Sequence, residues 1–167
     1  MNKTIVFDMD GTLANFYGVK GWLDDILSSN IRPYLEAEPM FDVKTFNQLG
    51  SALVENGYSI KICSWLPDKG SKEYCKEVRQ VKKDWLNKYI DFELANTHIV
   101  KYGYNKHYVV KEGLLFDDNN EVINKWLGKN RYAIKCENDN IDHNNFTILN
   151  AMYNILTGSI ERNMTTL

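Results

Sequence analysis

The stretch Thr4-Ile5-Val6-Phe7-Asp8-Met9-Asp10-Gly11-Thr12-Leu13 limits what this chain can become more than any other. Strand-forming residues run directly into two carboxylates two positions apart, and Gly11 then breaks the extended backbone. Alternate side chains of a strand share a face, so Asp8 and Asp10 are expected to address one site at its C-terminal edge, with Met9 turned elsewhere. Like charges held this close repel, and they need a cation between them or a shared proton. Oxygen donors of this kind suit Mg²⁺. The local alternative is an Asp-rich turn closing a hairpin, and only the rest of the chain decides between the two.

That remainder alternates in character. Asp42 is placed to cap a helix with Val43, Phe46, Leu49, Leu53 and Val54 on its apolar stripe, and Gly57 ends it. Tyr58 to Cys63 reads as a strand with Ser64 at its end. Asp68-Lys69-Gly70-Ser71 opens a long helix on which Tyr74, Cys75, Val78, Val81, Trp85 and Tyr89 recur at helical spacing. A short strand is expected near 97–100. The apolar strand Gly113-Leu114-Leu115-Phe116 then runs into Asp117-Asp118. A helix over 121–127, a strand over 132–136 and a last helix marked by Phe146, Leu149, Tyr153 and Leu156 complete the order. Between 14 and 41 the pattern is less regular. It holds one short amphipathic candidate at 22–27, and Pro33 and Pro39 limit its helices.

Strands alternating with helices, several of them apolar throughout, predict an α/β fold: a Rossmann-like parallel sheet of five strands flanked by helices. Such sheets are wound by right-handed crossovers and bind ligands beyond the carboxyl ends of their strands. That rim collects Asp8, Asp10, Ser64, Asp117 and Asp118, each polar and each next to an apolar strand. Asp8, at the strand terminus, is the better nucleophile candidate, and Asp10, on the outgoing turn, the better general acid and base. Ser64 reads either as a hydroxyl donor to a phosphoryl oxygen or as a turn cap. Asp117-Asp118 reads either as part of the site or as a cap for the helix that follows.

Composition narrows the partners. The 167 residues suit one domain, and 20 Lys plus Arg against 22 Asp plus Glu, a net charge of −2, give no general support for a stable nucleic-acid partner. No apolar run approaches membrane-spanning length, so no membrane association and a cytoplasmic location are expected. Cys63, Cys75 and Cys136 are odd in number and widely spaced, unlike a disulfide framework or a zinc site. His98, His107 and His143 lack metal-ligand spacing. Nothing in the sequence fixes an oligomeric state.

Asp8-Met9-Asp10-Gly11-Thr12 resembles the DxDGT signature of haloacid dehalogenase-like phosphohydrolases. The resemblance implies that Asp8 attacks phosphorus to form an aspartyl-phosphate, while Asp10 protonates the leaving oxygen and later activates water. Ser64 is similar to the family's second motif. Ile62-Cys63-Ser64-Trp65 resembles the deoxyribonucleotidases of this family, which carry a second hydroxyl where this chain has Trp65. For the phosphate-holding lysine two residues compete, Lys106 in Tyr104-Asn105-Lys106-His107 and Lys82 in Val81-Lys82-Lys83-Asp84-Trp85. The spacing from Lys106 to the acidic strand is one residue longer than the resemblance implies. Asp117-Asp118 is similar to the fourth motif, implying that Asp118 binds Mg²⁺ with Asp8 and the Asp10 backbone carbonyl, with Asp117 in support.

Phe16, in Leu13-Ala14-Asn15-Phe16, falls where those nucleotidases keep a base-stacking ring, or else it anchors an insertion. Trp22 and Trp65 are the other aromatic candidates for contact with a substrate. The implied organisation is a core of residues 1–13 and 42–160, a small cap at 14–41 and a tail at 161–167. The implied activity is that of a Mg²⁺-dependent phosphomonoesterase taking a small phosphomonoester, first among them nucleoside 5′-monophosphates or deoxyribonucleotides. A phosphatase of sugar or other small phosphates, a catalytically weak metal- and phosphate-binding protein and a phosphatase of nucleic-acid ends are the alternatives.

Overall fold

Ile5, Val6 and Phe7 are fully buried in β1 (Thr4–Phe7), because this strand has a neighbour on each edge and a packed layer on each face. It runs parallel to β2 (Ser59–Trp65), with Phe7 opposite Ile62, and parallel to β4 (Gly113–Asp117), with Phe7 opposite Phe116. β3 (Asn96–Val100) lies outside β2 and β5 (Arg131–Lys135) outside β4, giving five parallel strands in the order β3-β2-β1-β4-β5. The chain is thus an α/β protein with a Rossmann-like sheet. The computed structural model describes residues 3–158. The tail expected at 161–167, and residues 1–2 and 159–160 of the expected core, lie outside the described residues.

The helices are α1 (Trp22–Leu27), α2 (Arg32–Glu36), α3 (Val43–Glu55), α4 (Lys72–Tyr89), α5 (Asn120–Trp126) and α6 (Ile141–Leu156). Strand alternation divides the core. Ile5, Phe7, Ile60, Ile62, Leu114 and Phe116 pack with Phe46 and Leu53 of α3, Trp85 and Leu86 of α4, and Ile148 and Met152 of α6. Val6, Cys63 and Leu115 face the other way, onto Val122 and Trp126 of α5 and onto Val110. Phe7 stacks on Phe116 with ring centres 4.7 Å apart and meets Phe46 edge-on at 5.6 Å. Burying each such side chain contributes about 1.5–3 kcal/mol, which makes the middle of β1 the firmest backing for a site at its end.

The cap expected at Asp42 forms, accepting a hydrogen bond from Thr45 N–H at 2.8 Å, and within the stretch expected to open the long helix it is Ser71 that caps α4, accepting from Tyr74 N–H at 3.1 Å. Three details differ. Pro33 does not limit a helix but opens α2, since the first turn needs no N–H from it. β2 continues past Cys63 because β3 pairs with it to the end, Ser64 opposite Ile99 and Trp65 opposite Val100. On α6, Phe146 and Tyr153 are exposed, and the buried stripe is Ile148, Ala151, Met152 and Ile155. The apolar positions there form two overlapping helical rows, and packing against α3 selects the second. Among the described residues, no helix is long and apolar enough to cross a membrane.

Candidate active site

The strand order reverses between β1 and β4, and the polar residues gather beyond that point. Asp8 N–H donates to the Phe116 carbonyl at 2.9 Å, extending the β1–β4 pairing by one step and setting Asp8 beside Asp117. Continued alternation turns both toward the face that carries Val6 and Leu115. Lys106 approaches from that face on a short 3-10 turn (Lys106–Tyr108). Its Nζ donates to Asp8 Oδ1 at 2.5 Å and to Asp117 Oδ2 at 2.7 Å, with its side chain 2% exposed.

Asp10 does not arrive by strand alternation, because β1 has ended at Phe7. The amides of Thr12, Leu13 and Ala14 all donate to the Met9 carbonyl, and Gly11 N–H donates to the Ala14 carbonyl. This turn carries Asp10 to the opposite side of the site. Gly11 is needed there twice over, having φ of +80° and a position where a Cβ would lie 2.7 Å from Asp118 Oδ2. Asp10 meets Lys82, which projects from α4 with its side chain 1% exposed. Lys82 Nζ donates to Asp10 Oδ2 at 2.6 Å, to Ser64 Oγ at 2.9 Å and to the Trp65 carbonyl at 2.7 Å. Both lysines between which the sequence left the choice therefore reach the rim, from opposite faces of the sheet.

Asp117 does not cap α5. Asn119 caps it, accepting from the amides of Glu121 and Val122, while Asp117 Oδ1 accepts from Asn119 N–H at 2.9 Å. Both oxygens of Asp117 are thus engaged. Asp8, Asp117 and Asp118 each bring a carboxylate oxygen within 4.8 Å of the others. An all-carboxylate set suits a hard cation such as Mg²⁺ better than zinc. With Asp117 held by Lys106 and Asn119, Asp118 and the second oxygen of Asp8 are the donors left to share one.

Four carboxylates face two ammonium groups, and the surplus shows in their protonation. Burial, then the charges of Asp8 and Asp117, push Asp118 up to about 8. Burial also raises Asp10, with Lys82 opposing the rise and Asp8 adding to it. Asp117 is raised by burial in the same way, against the pull of Lys106. Burial works against the charge of Lys106, but Asp117 and Asp8 outweigh it and hold the ammonium above its ordinary range.

A cleft of about 360 Å³ opens over these groups. Trp22 borders it from α1 and Trp65 from the end of β2. Trp65 Nε1 donates to the Tyr104 carbonyl at 2.8 Å and its ring lies 4.9 Å from Tyr102, so it braces the loop that delivers Lys106. Phe16 is only 2% exposed, packed against Tyr34 at 4.7 Å and Tyr17 at 5.3 Å. That is the anchoring geometry, and the half-buried ring of Tyr17 is the more open face.

Sequence reasoning missed Tyr17, Tyr34 and Tyr102 in this wall. It also missed two residues that hold the backbone of the site. Asn144, fully buried on α6, donates to the carbonyls of Gly11 at 3.1 Å and Thr12 at 3.3 Å while accepting from Glu137 N–H at 2.7 Å. An Asn in line with Ile148, Ala151 and Met152 was the available signal. Lys135 Nζ donates to the Asp118 carbonyl at 2.5 Å and the Cys136 carbonyl at 2.7 Å, and no local pattern marks it.

No family model, no curated protein and no solved structure matches the chain.

Proposed function

We propose that this protein is a Mg²⁺-dependent phosphomonoesterase of haloacid dehalogenase-like type, working through an aspartyl-phosphate on Asp8. The observation that carries this reading is the pair Asp8 and Asp10 at the switch point, each bonded to its own buried lysine at 2.5 and 2.6 Å. The Asp8 carboxylate is the attacking group, and the Lys106 ammonium holds its Oδ1 at 2.5 Å. Asp8 forms the O–P bond as the leaving oxygen departs and takes a proton from Asp10. Water then attacks the phosphorus, Asp10 accepts its proton, and the Asp8–phosphate bond breaks to restore both residues.

The raised carboxyl of Asp10 suits a group that must begin as an acid. Ser64 receives a hydrogen bond from Lys82, which leaves its own O–H for a phosphoryl oxygen. Asp8, Asp118 and the Asp10 carbonyl would hold Mg²⁺, with Asp117 fixing Lys106. When bound, the cation supplies positive charge that offsets repulsion between the carboxylates and the phosphoryl oxygens.

Nucleoside 5′-monophosphates are the first substrate class in this reading. Trp22, Trp65, Tyr17 and Tyr102 offer flat apolar surface along the cleft, and Lys106, the cation bordering it, already carries two carboxylates. A cytoplasmic setting belongs to the same reading and agrees with three free cysteines.

The test is release of p-nitrophenol from p-nitrophenyl phosphate with and without Mg²⁺, with acid-quenched protein mapped for acyl-phosphate. Hydrolysis that needs Mg²⁺ and phosphate found on Asp8 are expected. Phosphate on any other residue, or turnover indifferent to a chelator, would overturn the reading.

A further inference from the structure

The two lysines of the site differ in how many protons they keep. Lys106 lines the cleft and gives hydrogen bonds to two carboxylates, which leaves one of its three N–H groups with no acceptor among the described residues. Lys82 has no such reserve. Its three N–H groups meet three acceptors at 2.6, 2.9 and 2.7 Å, and its side chain is 1% exposed with the Tyr34 ring 5.4 Å away. An ammonium group has three donors and no acceptor, so a fourth partner would have to displace one of those in place.

Resting on the phosphatase reading, we propose that Lys82 is a positioning residue for Asp10 and not a ligand of the phosphate. It stands on the rigid, eighteen-residue α4, ties the acid to Ser64 and to the end of β2, and fixes where the Asp10 proton is delivered. Asp10 sits on a turn beyond its strand and its side chain is 22% exposed, so without this tether it has room to swing away. Lys82 then influences the reaction chiefly where Asp10 must give or take a proton.

This separates two leaving groups. In the first step an Asp8 oxygen bonds to phosphorus as the P–O bond to the leaving group breaks. A nitrophenolate departs with its electron pair and needs no proton. The alkoxide of a nucleoside must take one from Asp10. In the second step water loses a proton to Asp10, which a departing nucleoside has already deprotonated and which, after a nitrophenolate has left, first gives its own proton to solvent.

The experiment is rapid-quench kinetics of Lys82→Met with p-nitrophenyl phosphate and with a nucleoside 5′-monophosphate, following the first turnover and the phosphoaspartate. For the nucleotide, the first step is expected to fall about a hundredfold, while the nitrophenolate burst changes by less than about fivefold. Phosphoaspartate should then build up from the nitrophenyl substrate, because its hydrolysis is the slowed step, and the substrate dissociation constant read from the concentration dependence of the first turnover should hold for both. A lost burst with that constant raised for both substrates would overturn the proposal and make Lys82 a phosphate ligand.

If Lys82→Met does not fold, Asp10→Asn is compared with Asp10→Asn/Lys82→Met, which removes both charges together. Equal first-step rates in the two are expected, since Lys82 acts through Asp10. A further tenfold loss in the double variant would overturn the proposal. An unmodified protein that forms no phosphoaspartate from either substrate would instead sink the phosphatase reading beneath it.

Discussion

Lys106 and Lys82 are both buried and both bonded to a carboxylate of the same short segment, yet their surroundings give the two pairs opposite characters. On the Lys106 side, Asp8 and Asp117 flank one ammonium that burial and fixed hydrogen bonds hold in place. On the Lys82 side, one carboxylate shares its ammonium with a hydroxyl and a carbonyl, and it keeps more contact with solvent. The first arrangement fixes its carboxylates in place, which suits the nucleophile proposed for Asp8. The second leaves Asp10 raised and free enough to carry a proton. A Lys–Asp pair is therefore not one device, and what else the ammonium touches decides its use.

The comparison breaks most readily on stability. Replacing Lys106 by Met leaves Asp8 and Asp117 adjacent, buried and uncompensated, and the expected loss is about 3–5 kcal/mol. Replacing Lys82 by Met frees one partly solvated carboxylate and two neutral acceptors, with an expected loss of about 1.5–3 kcal/mol. Denaturant midpoints of the metal-free variants read this directly. A larger loss at Lys82 would mean that the acid side, not the nucleophile side, holds the rim together.

Metal binding sharpens the same contrast, because Asp117 belongs to Lys106 while Asp118 does not. Asp118→Asn is expected to weaken Mg²⁺ binding about a hundredfold and Asp117→Asn about tenfold, by isothermal calorimetry. The pH dependence has a definite sign. Asp118 is raised from 3.8 to about 8, so the folded protein binds more protons than the unfolded chain between those values. Metal-free stability should then fall as pH rises through that window and level off above it. Mg²⁺ displaces the same proton, so its affinity should climb toward pH 8 and its addition should cancel the slope. A metal-free midpoint that rises with pH from 4 to 8 would contradict the burial of Asp118.

Much of this was legible in the chain, for identifiable reasons. The apolar runs of β1 and β4 can be satisfied only at the middle of a covered parallel sheet, and the acids that follow them must then share a rim. The caps at Asp42 and Ser71 are local chemistry and needed no tertiary context. What was not legible depends on distant packing. Lys82 and Lys106 were singled out only through the resemblance, and their burial comes from the crossing of α4 and the 3-10 turn over the strand ends. Asn144 is separated from Gly11 by most of the chain, and Lys135 reaches Asp118 through the β4–β5 register. The helix α6 was legible from its apolar spacing and Leu149 and Leu156 do pack on the core, but two apolar rows compete there and packing against α3 leaves Phe146 and Tyr153 outside.

Trp65 belongs to both sides at once, and this makes its replacement by Phe the finest test. Its carbonyl accepts from Lys82, while its ring N–H donates to the Tyr104 carbonyl and its face lies 5.8 Å from Lys106 Nζ. Trp65→Phe keeps the backbone contact and a six-membered ring and removes the ring N–H with the rest of the pyrrole ring. Tyr104 is 44% exposed, so water can replace that donor, and the stability cost should be about 0.5–1.5 kcal/mol. The loop carrying Lys106 then loses a brace, so the first phosphoryl-transfer step should slow by about three- to tenfold, the equivalent of that energy. Because Lys106 serves Asp8 and not Asp10, the slowing should be equal for p-nitrophenyl phosphate and for a nucleoside monophosphate. A selective loss on the nucleotide would show that disturbing the Trp65 ring reaches Asp10 through Lys82. The two halves would then be one mechanical unit, and the division between them would not survive.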